Sequence, residues 1–240
     1  MKKLHAEPSA LKIIFMGSDS FVVPILQTLQ ENFQVMAVVT APDSPISRFF
    51  KGKILTPDKL DEDFTNQIKS LKPDLIVVSS YGKILPQTIL DIPKFGSLNI
   101  HPSLLPKHRG ASPVSAAILA GDSETGVTII KMDEKMDHGP IVTTSKIKLI
   151  GREILPELIT KLFHIGAGVL VKVIPDFVSG KLVPKVQDHV SATFCKLLKK
   201  EDGYFDLETP LSPDELDKMT RAYYPWPGVW TTWNGKIVKF

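Results

Sequence analysis

An α/β fold is predicted for this sequence: a Rossmann-like, mostly parallel sheet with flanking helices. Three observations predict it. Short apolar runs of strand length recur at "LKIIFMG", "QVMAVVTAP" and "PDLIVVSSYG"; none alternates with polar residues, so each reads as buried on both faces. Segments of helical periodicity lie between them, the pattern of crossover connections. The chain has 240 residues, 43% of them hydrophobic, enough to fill a core of this kind.

Taken in order, residues 1–10 read as a flexible lead-in. After the first strand, Gly17 closes the run and Ser18, Asp19 and Ser20 offer caps to a helix over "FVVPILQTLQ". "DEDFTNQIKSL" is a helix leading into the third strand, and "GSLNIHPS" is a fourth strand. "SPVSAAILAGD" has Pro113 in its first turn and Gly121 at its end, a helix, and "TGVTIIKMD" is a fifth strand. "GPIVTTSKIKL" alternates, so it has one solvated face. "LPELITKLFHIGAGVLVKVIPDFVSG" is one long helix, weakened near Gly166, Gly168 and Pro175. Residues 181–211 lack periodicity and read as a surface linker. Ser212 and Pro213 then open a helix, and two strands flank an Asn234-Gly235 turn. A hairpin alone is marginal, so the tryptophans of this region must pack on something.

The formal charge is +3, too small to mark a nucleic-acid-coating protein but compatible with a polyanionic partner. The single cysteine, Cys195, excludes an intramolecular disulfide and a cysteine-rich metal centre, and a reducing, cytoplasmic setting follows. The apolar stretch near the N-terminus is too short for a signal core, and no run approaches the ~18 apolar residues of a membrane span. The six histidines form no HExxH or HxH pattern, so no metal is expected. No GxGxxG or GxSxG motif is present, and Cys195 has no adjacent histidine.

Ligands of open parallel sheets bind beyond the carboxyl ends of the strands. Three such ends are chemically loaded: "GSDS", "SSYGKILP" and "NIHPSLLPKHRG". Side chains alternate along a strand, so Asn99 and His101 share a face. An amide can donate to a developing oxyanion, and an imidazole moves protons at neutral pH. The pair lacks a carboxylate to orient the ring, and "MDEKMDHGP" offers three: Asp133, Glu134 and Asp137. Spacing does not choose among them. Gly139 would let the backbone approach a ligand.

At these residues the sequence resembles the folate-dependent formyltransferases. "SLNIHPSLLPKHRGASPVSAAILAGDSETGVTIIKMDEKMDHGPIV" follows that family's central block almost without a gap, and the resemblance runs from about residue 12 to 238 through "VVSSYGKILP" and "RAYYPWPGVW". It implies a catalytic trio of Asn99, His101 and Asp137. It implies 10-formyltetrahydrofolate as co-substrate, held near Ile84 and Leu85, by the loop Ser103, Leu104, Leu105 and Pro106, and by the Asp137 loop. The implied acceptor is the amine of initiator methionyl-tRNA, with Ser18, Arg48, Lys51, Lys53 and Arg109 on the substrate side. A monomer with folate and tRNA as partners, no membrane and no metal is the corresponding expectation.

Two features depart from the family. Between "VVTAPDSP" and "KSLKPDLIVV" the family carries a longer basic loop, whereas here only "ISRFFKGKILTPDKLDEDFTNQI" bridges the strands, with Phe49 or Phe50 available to stack on a base. The family ends in a small β-barrel, and this chain stops at Phe240 after its first two strands. The expected organisation is a catalytic domain over 11–180, the linker 181–211, and an incomplete OB-like segment over 212–240. An amino-sugar nucleotide acceptor, or folate binding without an amine acceptor, are the alternative readings.

Overall fold

The computed structural model describes residues 10–240; the expected lead-in lies, apart from its last residue, outside them. The strands and helices in chain order are β1 (Lys12–Met16), α1 (Val23–Asn32), β2 (Gln34–Val39), β3 (Lys53–Leu55), α2 (Glu62–Ser70), β4 (Leu75–Val78), α3 (Gln87–Leu90) and β5 (Ser97–His101). They continue with β6 (Arg109–Gly110), α4 (Pro113–Ala120), β7 (Glu124–Lys131), β8 (Ile141–Lys148), α5 (Leu155–Val178), β9 (Phe194–Cys195), α6 (Pro213–Tyr223), β10 (Trp230–Trp233) and β11 (Lys236–Lys239).

Seven strands form the main sheet in the order β3-β2-β1-β4-β5-β7-β8. The first five pair in parallel and the last two are antiparallel, so the sheet is mostly parallel. Strand order reverses between β1 and β4, the switch point at which crevices open in such sheets. There the Ser18 N–H donates to the Ser80 carbonyl at 3.0 Å.

The central strands are apolar on both faces because two cores flank them. Ile13 and Phe15 of β1 face the core shared with α1, α4, α5 and α6, while Ile14 and Met16 face the one built with α2 and α3. β8 is the sheet edge, and its exposed Lys146 and Lys148 discourage pairing with another chain.

α5 is continuous through Gly166, Gly168 and Pro175, so the expected weakening does not occur. Gly166 serves a close approach instead. A Cβ there would lie 2.9 Å from Ile100 Cγ2 and 3.3 Å from Val127 Cγ1, both stiff branched side chains. Gly166→Ala is therefore expected to destabilise the protein by ~1–3 kcal/mol through overpacking, read as a lowered urea midpoint. Gly168→Ala meets open space and serves as the control. By length and composition α5 suits a membrane span, contrary to the sequence expectation, yet Leu158, Leu162, Phe163, Leu170 and Ile174 on it are core residues.

The segment after α5 is more structured than a linker. Lys185 bridges Ile141, and β9 pairs in parallel with β6, so this strap ties the start of β8 to the segment that follows β5. α6 opens at the expected Ser212 cap, which Glu215 completes as a capping box, and its Met219, Ala222 and Tyr223 join the main core. β10 and β11 form the expected hairpin around Asn234 and Gly235, both at positive φ. The tryptophans depart from expectation. Trp230 tilts against Tyr204 at 4.9 Å, but Trp226 and Trp233 are 53% and 64% exposed. Hairpin pairing and the Trp230 contact hold the turn without them. Phe50 is also corrected: it is a core residue, so of the two phenylalanines only Phe49 is exposed.

Candidate active site

Asn99 and His101 emerge on one face at the end of β5, as the two-residue period requires. His101 is 4% exposed. Its Nε2 lies 2.9 Å from the His108 carbonyl oxygen, which can only accept, so Nε2 carries the proton. Nδ1 then faces Asp137 Oδ1 at 3.4 Å. The same Oδ1 accepts a long bond from the Asn99 amide at 3.3 Å. The second amide N–H of Asn99 remains for another acceptor.

Of the three acids left open by spacing, only Asp137 reaches this pair. Asp133 bonds His138 at 2.6 Å and the Lys135 N–H at 3.0 Å, and Glu134 is exposed. Asp137 sits at φ 51°, a left-handed conformation that aspartate tolerates better than most residues. Its Oδ2 accepts from the Gly110 N–H at 2.8 Å, which leaves Oδ1 turned toward Asn99 and His101.

A residue that the motif reading passed over organises this loop. Gln187, on the strap, is 4% exposed. Its amide donates to the carbonyls of Asp137 and Gly139 at 2.9 and 2.7 Å, and its Oε1 accepts from Arg109 at 2.6 and 3.2 Å. Arg109, expected on the substrate side, is thus bonded to the strap. It is 4% exposed, and its guanidinium is committed to Gln187 and to His189 Nδ1 at 2.9 Å. Desolvation, then the charges of His138 and Arg109, push the His189 imidazole below its ordinary value. The neutral ring can accept from arginine, and it stacks on His138 at 4.0 Å. Gly139 also has a different task from the expected one: a Cβ there would lie 1.9 Å from the Lys131 carbonyl oxygen, so it lets the loop close on β7 rather than admitting a ligand.

The "SLLP" loop is fixed from β7. Thr128 Oγ1 donates to the Ser103 carbonyl at 2.7 Å and accepts from the Leu105 N–H at 3.0 Å. Ser103 Oγ donates to the Lys107 carbonyl at 2.6 Å. Ser103 and Leu105 are buried while Leu104 and Pro106 are half-buried, so this wall is rigid before any ligand arrives. Leu85 is buried and Ile84 is 68% exposed. Ser18 is also occupied: its Oγ accepts from the Ala41 N–H at 2.9 Å and its carbonyl from Ser44 Oγ at 2.6 Å, tying the switch-point loops together. Arg48, Lys51 and Lys53 are exposed beside β3, four strands from β5 and therefore ~19 Å from the trio by strand spacing. Among the described residues no group of three or more His, Cys, Asp or Glu side chains is placed to hold a metal ion.

An amide and an imidazole on β5 meeting a carboxylate from the loop after β7, walled by a rigid loop, define an α/β enzyme suited to acyl-group transfer. The chain belongs to the formyl transferase family: the formyl transferase model matches residues 11–174 and the formyl transferase C-terminal domain model matches 197–240. It is 43% identical over 246 residues to methionyl-tRNA formyltransferase from Roseiflexus sp. (strain RS-1), covering 95% of this chain and 75% of that protein. The fold matches a 4-N formyltransferase from Francisella tularensis with TM-score 0.80 at 21% identity over 96% of both chains. It also matches the N-formyltransferase from Helicobacter canadensis in complex with folinic acid and dTDP-3-aminofucose, with TM-score 0.72 at 17% identity over 95% of this chain and 87% of that one.

Proposed function

We propose that this enzyme transfers the formyl group of 10-formyltetrahydrofolate to the amino group of methionine on initiator tRNA, as in cytoplasmic translation initiation. The carrying observation is the junction of Asn99, His101 and Asp137 within a chain about two-fifths identical to methionyl-tRNA formyltransferases over nearly its whole length. The folate relies on its formyl carbon for the chemistry, and the rigid backbone from Ser103 to Pro106, with Ile84 and Leu85, forms its wall. The exposed apolar surface of Ile84 and the pre-set loop suit a flat, partly apolar ring.

The residues divide the work as follows. The free N–H of Asn99 donates to the formyl oxygen as the amine attacks and charge develops there. Nδ1 of His101 accepts a proton from the amine, and Asp137 Oδ1 stabilises the resulting imidazolium; as the tetrahedral intermediate collapses, the bond from the formyl carbon to N10 breaks and the imidazolium returns that proton to N10 of the departing tetrahydrofolate. In the resting site Nδ1 and Oδ1 are two acceptors facing each other, a gap that an amine N–H completes. Residues 11–180 form the catalytic domain, 181–211 the connecting strap, and 212–240 belong to the C-terminal domain. The enzyme works as a monomer.

The deciding experiment supplies 10-formyltetrahydrofolate with charged initiator tRNA, with amino-sugar nucleotides, or with no amine. Formylation of the charged tRNA is the expected result. Preferential formylation of the sugars, or formyl release without an acceptor, would overturn the reading. Arg48, Lys51 and Lys53 would meet tRNA phosphates away from the reacting atoms. Lys51→Ala is accordingly expected to flatten the log Kd against log salt plot for tRNA by about one unit and to leave folate binding unchanged. An unaltered slope removes that loop from the tRNA surface.

A further inference from the structure

The His108 carbonyl accepts from His101, but its side chain has no role above; the residue is nonetheless fixed from several directions. Its backbone is left-handed at φ 57°. Its N–H donates to Thr193 Oγ1 of the strap at 2.9 Å. Its ring Nε2 meets Asp122 Oδ2 at 2.7 Å, and Asp122 Oδ1 accepts from Lys107 Nζ at 3.0 Å. The ring and the Asp122 side chain are 12% and 13% exposed. Burial alone would raise the Asp122 carboxyl, but hydrogen bonds from His108 and Lys107 outweigh it and hold the group below its ordinary value. The product of these restraints is one orientation of the His108 carbonyl, which faces His101 Nε2 at 2.9 Å.

We propose that His108, clamped by Asp122, is a positioning residue: it aims its carbonyl at His101 Nε2 and so keeps Nδ1 free as the proton acceptor. The physical reason lies in competition between the two ring nitrogens. Asp137 Oδ1 stands 3.4 Å from Nδ1, and a carboxylate there draws the ring proton onto Nδ1. A neutral imidazole protonated at Nδ1 has no lone pair facing the amine. The carbonyl of His108 opposes that pull from the far side of the ring. The catalytic consequence rests on the formyl-transfer reading; the tautomer does not.

The test uses the full chain with ¹⁵N-labelled histidine. His108→Asn keeps a residue that tolerates the left-handed backbone but is too short to reach Asp122. His108→Gln places an amide nitrogen near the position of the ring Nε2 and restores the clamp. In the native protein the neutral His101 ring is expected to show its proton on Nε2. In His108→Asn the proton shifts toward Nδ1, kcat falls ~10- to 100-fold, and KM for 10-formyltetrahydrofolate stays within about twofold. His108→Gln restores both the nitrogen spectrum and most of kcat. A folded His108→Asn with the native tautomer, or with native kcat, overturns the proposal. If that variant does not fold, Asp122→Asn is read for the same two outcomes. A tautomer shift in a chain that formylates no amine upholds the positioning role while refuting the formyl-transfer reading.

Discussion

Asn99→Ala is expected to lower formyl-transfer turnover ~100- to 1000-fold, the effect of removing one oxyanion donor at ~2.7–4 kcal/mol of barrier. The side chain gives one N–H to Asp137 at 3.3 Å and keeps the other for the reacting oxygen. The second N–H matters only when charge develops there, so the loss falls on kcat rather than on KM for the folate. Asn99 is half-buried at a strand end and Asp137 keeps its bond from Gly110, so alanine leaves the fold intact. Single-turnover rates with saturating folate and charged tRNA, alongside fluorescence titration of folate, separate the two quantities. A variant with near-native turnover would remove Asn99 from the chemistry, whereas one that loses folate affinity in proportion would make it a binding residue.

The parts of this site that could be read from sequence are those set by local geometry. Asn99 and His101 are two positions apart on a strand, and that spacing alone puts them on one face. The helix caps at Ser212 and the turn at Asn234 and Gly235 follow equally local rules, and both formed as expected. Spacing leaves Asp137 one of three acids, singled out by the resemblance alone, because its placement depends on the Gly110 N–H of β6, 27 positions earlier. Gln187 was invisible for the same reason carried further. Its partners at Asp137, Gly139 and Arg109 lie 48 to 78 positions away, and no short motif encodes them. The strap that carries it has no periodicity because its order comes from these contacts and from pairing with Arg109 and Gly110. Arg109 is set in the same long-range way: its burial and its bonds to Gln187 and His189 come from the strap, 78 and 80 positions away.

Gln187→Ala follows from that burial and carries the largest expected effect on stability. The truncation strips hydrogen bonds from two main-chain carbonyls and from a guanidinium that is 4% exposed. Each buried neutral group left without a partner costs ~1–3 kcal/mol, and a charged group costs more. Arg109 retains His189, and water entering the space left by the side chain recovers part of the loss, so the expected total is ~3–5 kcal/mol. Urea unfolding should show this as a lowered midpoint with an unchanged slope. Activity should fall as well in the molecules that remain folded, because Gln187 holds the Asp137 carbonyl while Gly110 holds its carboxylate, and releasing one loosens the other. Gln187→Glu separates the two effects. It keeps the shape and pairs more strongly with Arg109, but it has no N–H for the Asp137 and Gly139 carbonyls. If the bridge to the loop matters for catalysis, Gln187→Glu stays more stable than Gln187→Ala yet loses turnover to a similar degree. Turnover that instead tracked stability across the two variants would show that Gln187 supports the fold and leaves the placement of Asp137 to Gly110 alone.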